Sequence, residues 1–209
     1  MALLIARHGE TALNVAGVIQ PADTPLSERG EQQSVALGLR LARDHRIVAV
    51  VSSDLPRALR TAELATRQLA VRTEALADWQ ERNFGALRGR TVDSLGFNPL
   101  TMREAPEAGE SLTQFEARVA QAWAALCARL QSLSPEEDLL LVTHGLVVRA
   151  LLAMHIEDGA LALLQAPPPN ASLTVVSNDP GRPRLLLGPC AAHWLSIDDG
   201  RAGSAARGV

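Results

Sequence analysis

The chain of 209 residues contains no lysine and no tyrosine, so all 20 of its lysine-plus-arginine positions are arginine. Without lysine there is no GK[ST] phosphate loop, no Schiff-base amine and no lysine general base. Cationic work on a ligand falls to arginine and histidine, and the planar arginine fork suits tetrahedral oxyanions. Cysteine is scarce: Cys127 and Cys190 stand far apart, outside any CxxC or CxxH context, and read as packing residues. No HxH, His-x-x-Glu-His or Asp-rich metal signature occurs, and His45, His155 and His193 are scattered as surface or packing residues. No apolar run approaches the roughly 20 residues of a membrane-spanning helix, and nothing at the N-terminus reads as a signal peptide. A net charge of −3 gives no reason to expect a nucleic-acid or membrane partner. The expectation is a soluble, cytoplasmic protein with no metal and no cofactor. An apolar fraction of 47% is enough for a buried core, and the length suits a single domain over 1–209.

Two short runs carry the most information: Arg7-His8-Gly9-Glu10-Thr11 and Val142-Thr143-His144-Gly145. Each follows an apolar, strand-like stretch and puts a histidine, then a glycine, where a strand should end. In α/β proteins ligands bind at the C-terminal ends of strands, so the two histidines can meet at one site. Between the runs the pattern alternates. Buried strands are expected at 3–6, 47–51 and 139–142, and a further strand at 71–76. Helices are expected at 27–43, with Ser27 as N-cap and Val35, Leu37, Leu39 and Leu41 as apolar surface, and from Pro56 to about Leu69. A long helix at 111–133 opens on Ser111, and another runs over 146–154. Residues 78–110 are rich in Gly, Pro, Arg and Asn and read as a cap. Pro167-Pro168-Pro169 is a stiff linker. Strands at 173–176 and 184–187, joined by an Asn178-Asp179-Pro180-Gly181 turn, add an antiparallel edge, and 198–209 reads as a frayed tail. The fold class is α/β: a mostly parallel sheet with helices on both faces, an antiparallel edge strand and a small irregular cap over the strand C-terminal ends.

The ordered motifs extend beyond the two runs. They include Asn14, Gln20 with Pro25-Leu26-Ser27-Glu28-Arg29-Gly30, and Ser52-Ser53-Asp54-Leu55-Pro56-Arg57-Ala58 with Thr61-Ala62. Glu81-Arg82-Asn83-Phe84-Gly85 and Gly109-Glu110-Ser111 follow. In this set the chain resembles the histidine phosphatase superfamily, also called the phosphoglycerate mutase-like family, over nearly its whole length and as a short phosphatase-type member. The resemblance implies that His8 is a nucleophile that becomes a phosphohistidine, a step that a neutral imidazole permits. It implies that Arg7 and Arg57 clamp the phosphate, with His144 as the second pocket histidine. Asn14 is expected to donate from its amide to the same oxygens. Gly145 lets the backbone approach, and the helix start behind it offers N–H groups to an anion. Glu81 is the candidate general acid, with Asp78 as its rival, and Glu10 is expected to support the geometry of the nucleophile loop. Gln20 is expected to line the pocket, although Pro21 stands where relatives often have glycine. Glu110-Ser111 reads as a helix-start feature.

Three functions share this residue set. A metal-independent phosphatase acting on a small phosphorylated metabolite is favoured, because the segment from Glu81 to Ser111 is short and an open pocket favours water as acceptor. A phosphoglycerate mutase using the same phosphohistidine and a non-catalytic phospholigand-binding protein are the alternatives. Specificity is expected from 78–110, from 20–24 and from Leu146. Trp79, Phe84, Leu87 and Phe97 are either an apolar lining or the cap's own core. Arg82, Arg88, Arg90 and Arg103 are either readers of a second anionic group or a solvated face. Analogy with relatives also admits a homodimer.

Overall fold

The computed structural model describes residues 2–160, 162, 167–177, 179 and 183–195. Within them lies a 6-stranded sheet. Its strands are β1 (Ala2–Arg7), β2 (Ile47–Ser53), β3 (Thr73–Leu76), β4 (Asp138–Thr143), β5 (Leu173–Ser177) and β6 (Leu185–Cys190). Their order across the sheet is β3-β2-β4-β1-β5-β6. The first four are mutually parallel, while β5 runs antiparallel to β1, and β6 antiparallel to β5. The expected antiparallel edge is thus two strands wide. Pro189 is accommodated in β6 because that strand is an edge, where a missing N–H costs no ladder bond.

The central strands read as unbroken apolar runs because both of their faces are covered. Alternation then divides them: Leu3, Ile5, Leu139 and Leu141 belong to one core cluster, Leu4, Ala6, Leu140 and Val142 to the other. The first face is covered by α4 (Leu112–Gln131) and α5 (Gly145–Met154), through Phe115, Val119, Leu126, Val148 and Leu151 among others. The second is covered by α2 (Glu28–Asp44) and α3 (Pro56–Thr66), through Leu37, Leu41, Ala58, Ala62 and Ala65. The helices α1 (Ala12–Val15) and α6 (Ala192–Leu195), four residues each, are too short for a periodicity signal.

Caps set the helix starts. The Ser27 hydroxyl accepts from the Gly30 amide, and Ser111 forms a capping box with Gln114. Pro56 occupies the first turn of α3, where its missing N–H costs nothing. On α2 the apolar surface differs from expectation. Leu39 is 57% exposed, because a 3.6-residue period places Leu37 and Leu41 on the core face and turns Leu39 away. Residues 78–110 form no layer. They contain short 3₁₀ turns at Ala77–Trp79, Gly85–Leu87 and Val92–Leu95, and lean on the strand ends where the Thr143 hydroxyl donates to the Trp79 carbonyl at 2.8 Å. Trp79 and Phe84 are buried, whereas Phe97 is exposed. Apart from Asp179, the 178–181 turn lies outside the described residues, as does the 198–209 tail.

Candidate active site

Parallel pairing of β1 with β4 puts Arg7 beside Thr143, so the next residues, His8 and His144, emerge together. The His8 amide donates to the Thr143 carbonyl at 2.8 Å, and the two imidazole centroids lie 5.2 Å apart. Both rings are buried. The His8 Nδ1 lies 2.7 Å from the Gly9 carbonyl oxygen. A carbonyl only accepts, so Nδ1 carries the proton and Nε2 keeps its lone pair. Burial, and after it the charges of Arg57 and Arg7, hold the His8 pKa well below the usual imidazole value. His8 is therefore a neutral imidazole at pH 7, with Nε2 free to act as a base or nucleophile.

His144 is held from the other side. Its Nε2 lies 2.8 Å from the Ser53 hydroxyl, which already accepts from the Leu55 amide. With the hydroxyl proton directed to Nε2, the His144 proton sits on Nδ1, a buried atom with no hydrogen-bond partner. Its pKa too is held well below normal, chiefly by burial and then by Arg57.

The arginines carry the positive charge. Arg7 donates through Nη1 to the Pro168 carbonyl at 2.6 Å, while its buried Nε and Nη2 make no hydrogen bond. Arg57 reaches the Pro21 and Ala22 carbonyls at 3.4 and 3.5 Å, and its Nε is likewise buried and unpaired. Burial lowers each guanidinium to a pKa of about 10, so both remain charged at neutral pH. Two buried cations with unpaired N–H groups form a cradle for a doubly charged oxyanion.

Glu81 shares a tight cleft with His8, Gln20, Arg57, Phe84 and Arg88. Its carboxylate accepts from the Arg82 amide and from the Leu146 amide, each at 3.1 Å. Burial raises its pKa, against those two bonds and the charges of Arg57 and Arg7. That favours a protonated carboxyl close to the cradle, as a general acid requires. Asp78 is exposed and does not line this cleft. Of the N–H groups at the start of α5, that of Leu146 is bonded to Glu81.

Supporting contacts complete the site. Glu10 accepts from Ser27 and Arg29, anchoring the nucleophile loop to the start of α2. Gly30 is required there, since a Cβ would come within 2.0 Å of the Glu10 carbonyl oxygen. The Asn14 side-chain oxygen accepts from Thr11 and Asn170, and Thr11 also donates to Gln20 at 3.0 Å. Gly145 packs on the Arg7 guanidinium, where a Cβ would stand 3.4 Å from Cζ.

Several contributors had only weak signals in the sequence. Thr61 accepts from the Gly9 amide and donates to the Arg57 carbonyl, joining nucleophile loop to clamp. Arg118 grips Glu110 with two bonds of 2.9 Å and also donates to the Asp78 and Gln80 carbonyls, while Glu110 accepts from the Asn83 amide. Glu110 therefore holds the Glu81 segment in addition to preceding a helix cap. Arg82 is buried and bonded to the Glu110 and Glu104 carbonyls, so it is part of the cap's own structure. Among the described residues, no group of three or more His, Cys, Asp or Glu side chains comes together to hold a metal ion, and no helix is long and apolar enough to cross a membrane.

Residues 3–188 match the family model for the histidine phosphatase superfamily (branch 1). The chain is 34% identical over 160 residues to a probable phosphoglycerate mutase GpmB of Erwinia tasmaniensis, covering 71% of this chain and 72% of that protein. It is 32% identical over 186 residues to the metal-independent phosphoserine phosphatase of Arabidopsis thaliana, covering 83% of this chain and 75% of that protein. Among solved structures, Bacillus stearothermophilus YhfR superposes with a TM-score of 0.78 at 29% identity, over 92% of this chain and 98% of that one.

Proposed function

The chain belongs to the histidine phosphatase superfamily, and from that premise we propose that it hydrolyses a small phosphomonoester through a phosphohistidine on His8. The observation that carries this reading is the tautomer of His8: Nδ1–H is bonded to the Gly9 carbonyl, which leaves Nε2 basic and neutral beside the cradle.

In the first step the Nε2 lone pair forms the N–P bond as the P–O bond to the organic group breaks. The Glu81 carboxyl gives its proton to the departing alkoxide, which leaves as the alcohol. In the second step water attacks phosphorus, the N–P bond returns its electrons to Nε2, and the Glu81 carboxylate takes the proton from water. Arg7, Arg57 and the Nδ1–H of His144 hold the equatorial oxygens, where charge is spread in the transition state. Positioning and positive charge suffice for this chemistry, and both come from the chain's own residues.

Water is the favoured acceptor because residues 78–110 form short turns and no additional layer that would exclude it. The likeness to an Arabidopsis phosphatase supports the same choice. The likeness to a probable phosphoglycerate mutase supports the second reading, transfer from the same phosphohistidine back to an organic hydroxyl.

Phosphate release by wild type and His8→Ala, measured in EDTA over a panel of phosphomonoesters while 3-phosphoglycerate isomerisation is followed, separates these readings. The proposal expects release that His8→Ala abolishes. Isomerisation without release would favour the mutase, and phosphate binding without turnover would favour the phospholigand-binding alternative.

A further inference from the structure

A second, larger cleft of about 510 Å³ adjoins the phosphate cradle. This size is within the usual range for small-molecule sites. Lining residues tie the larger cleft to the site already described. Arg7 and Gly145 line the larger one directly, and Leu146, also in its wall, is the residue whose amide holds the Glu81 carboxylate. Arg7 thus brings the cradle, and Leu146 the segment that holds Glu81, to the edge of this cleft.

The walls are apolar: Val15, Val92, Leu100, Leu146, Pro167 and Pro168. Val15, 61% exposed, presents its apolar side chain to this cleft. At the far end is Arg149, one turn along α5 from Gly145 and about 6 Å further along the helix axis. Arg149 is exposed, and among the described residues neither a hydrogen bond nor an ion pair engages its guanidinium. Asp93 lines the same cleft, also outside any ion pair among the described residues, and disfavours an anion at its own position. None of the four cap arginines singled out from the sequence lines this cleft.

We infer that this cleft is the leaving-group subsite, and that it takes phosphomonoesters with an apolar body of several carbons ending in a carboxylate that Arg149 binds. The inference rests on the proposed phosphatase reading, because it takes the cradle as the phosphate site. It deepens that reading by naming a substrate class and a specificity residue.

Binding of non-hydrolysable phosphonates tests it without requiring turnover. Methylphosphonate, hexylphosphonate and 6-phosphonohexanoate are titrated calorimetrically into wild type, Arg149→Gln and Leu100→Ser. Wild type is expected to bind hexylphosphonate more tightly than methylphosphonate, and 6-phosphonohexanoate about tenfold more tightly again, the usual effect of one charge-assisted contact. Arg149→Gln should reduce the second preference to within about twofold, and Leu100→Ser should shrink the first. Equal wild-type affinity for all three probes, or a carboxylate preference that survives Arg149→Gln, overturns the subsite. If the probes bind as expected and the matching esters are not hydrolysed, the subsite stands and the phosphatase reading fails. If esters are hydrolysed in a His8-dependent way with no such preferences, the subsite alone fails.

Discussion

Replacing Glu81 with glutamine separates proton donation from charge and shape. The amide keeps one oxygen to accept from either the Arg82 or the Leu146 amide, but its NH₂ cannot accept from the other, so one of two 3.1 Å bonds is lost. The group also loses its transferable proton. General acid catalysis is typically worth about 10²–10⁴ in rate, or roughly 3–5 kcal/mol of barrier. An alkyl phosphate, whose alkoxide needs that proton, should lose activity in this range in Glu81→Gln. p-Nitrophenyl phosphate, whose phenolate departs without one, should lose about tenfold or less in the phosphorylation step. The pH profile adds a second readout. Because burial raises the Glu81 pKa, wild-type kcat/KM on alkyl phosphate should fall on the alkaline side as the carboxyl ionises, and the variant should lack that limb. Steady-state and pre-steady-state phosphate release on both esters supply the numbers. Equal losses on the two substrates, or an alkaline limb that persists in Glu81→Gln, would refute the assignment of Glu81 as acid.

Removing the Ser53 hydroxyl by Ser53→Ala leaves His144 Nε2 buried without its 2.8 Å partner, and about tenfold lower kcat/KM is expected from ester kinetics, with the cost of a buried unsatisfied group at roughly 1–3 kcal/mol. Leu140→Ala, in the core between the sheet and α2/α3, should destabilise the fold by about 2–5 kcal/mol in urea titrations. Acid should also destabilise the protein. His8 and His144 are held well below their unfolded pKa, and His193 is lowered to about 4, mainly by burial. Depressed histidines bind fewer protons folded than unfolded, so their contribution is complete above about pH 6.5 and is lost as pH falls below it. Burial lowers His155 as well, so the raised Glu81 pKa acts in the opposite sense as one group against four histidines. Urea midpoints should therefore fall between pH 6.5 and 4, and midpoints that hold constant over that interval would contradict the buried, neutral state of the histidines.

Much of the sheet was legible because its central strands are buried on both faces, and 139–142 and 3–6 show that as unbroken apolar runs. Strand ends then located Arg7, His8 and His144 without any contact information. The α2 surface was misread at Leu39 because Val35 and the alternate leucines at 37, 39 and 41 mimic a broad apolar face, and the helical period exposes Leu39. The roles of Arg118 and Glu110 were hidden for a different reason. Ion pairs between a loop and a helix leave no periodic trace, and Glu110 beside the capping Ser111 resembles an ordinary helix start. Arg149 was equally silent, since only the packing of α5 beside 15–17 and 91–93 turns it into a cleft residue. One of the N–H groups at the start of α5, that of Leu146, is taken by a carboxylate from 65 positions away, a contact with no local trace in the sequence.

The most direct test of the central claim is to mix enzyme with a rapidly hydrolysed phosphomonoester, quench within one turnover and locate any phosphoryl group by peptide mass spectrometry under alkaline conditions. The account predicts one phosphoryl group on His8, lost in acid, formed fast enough to lie on the path and absent from His8→Ala. Turnover with no phosphorylated His8 at any quench time, or activity that survives His8→Ala, would contradict it.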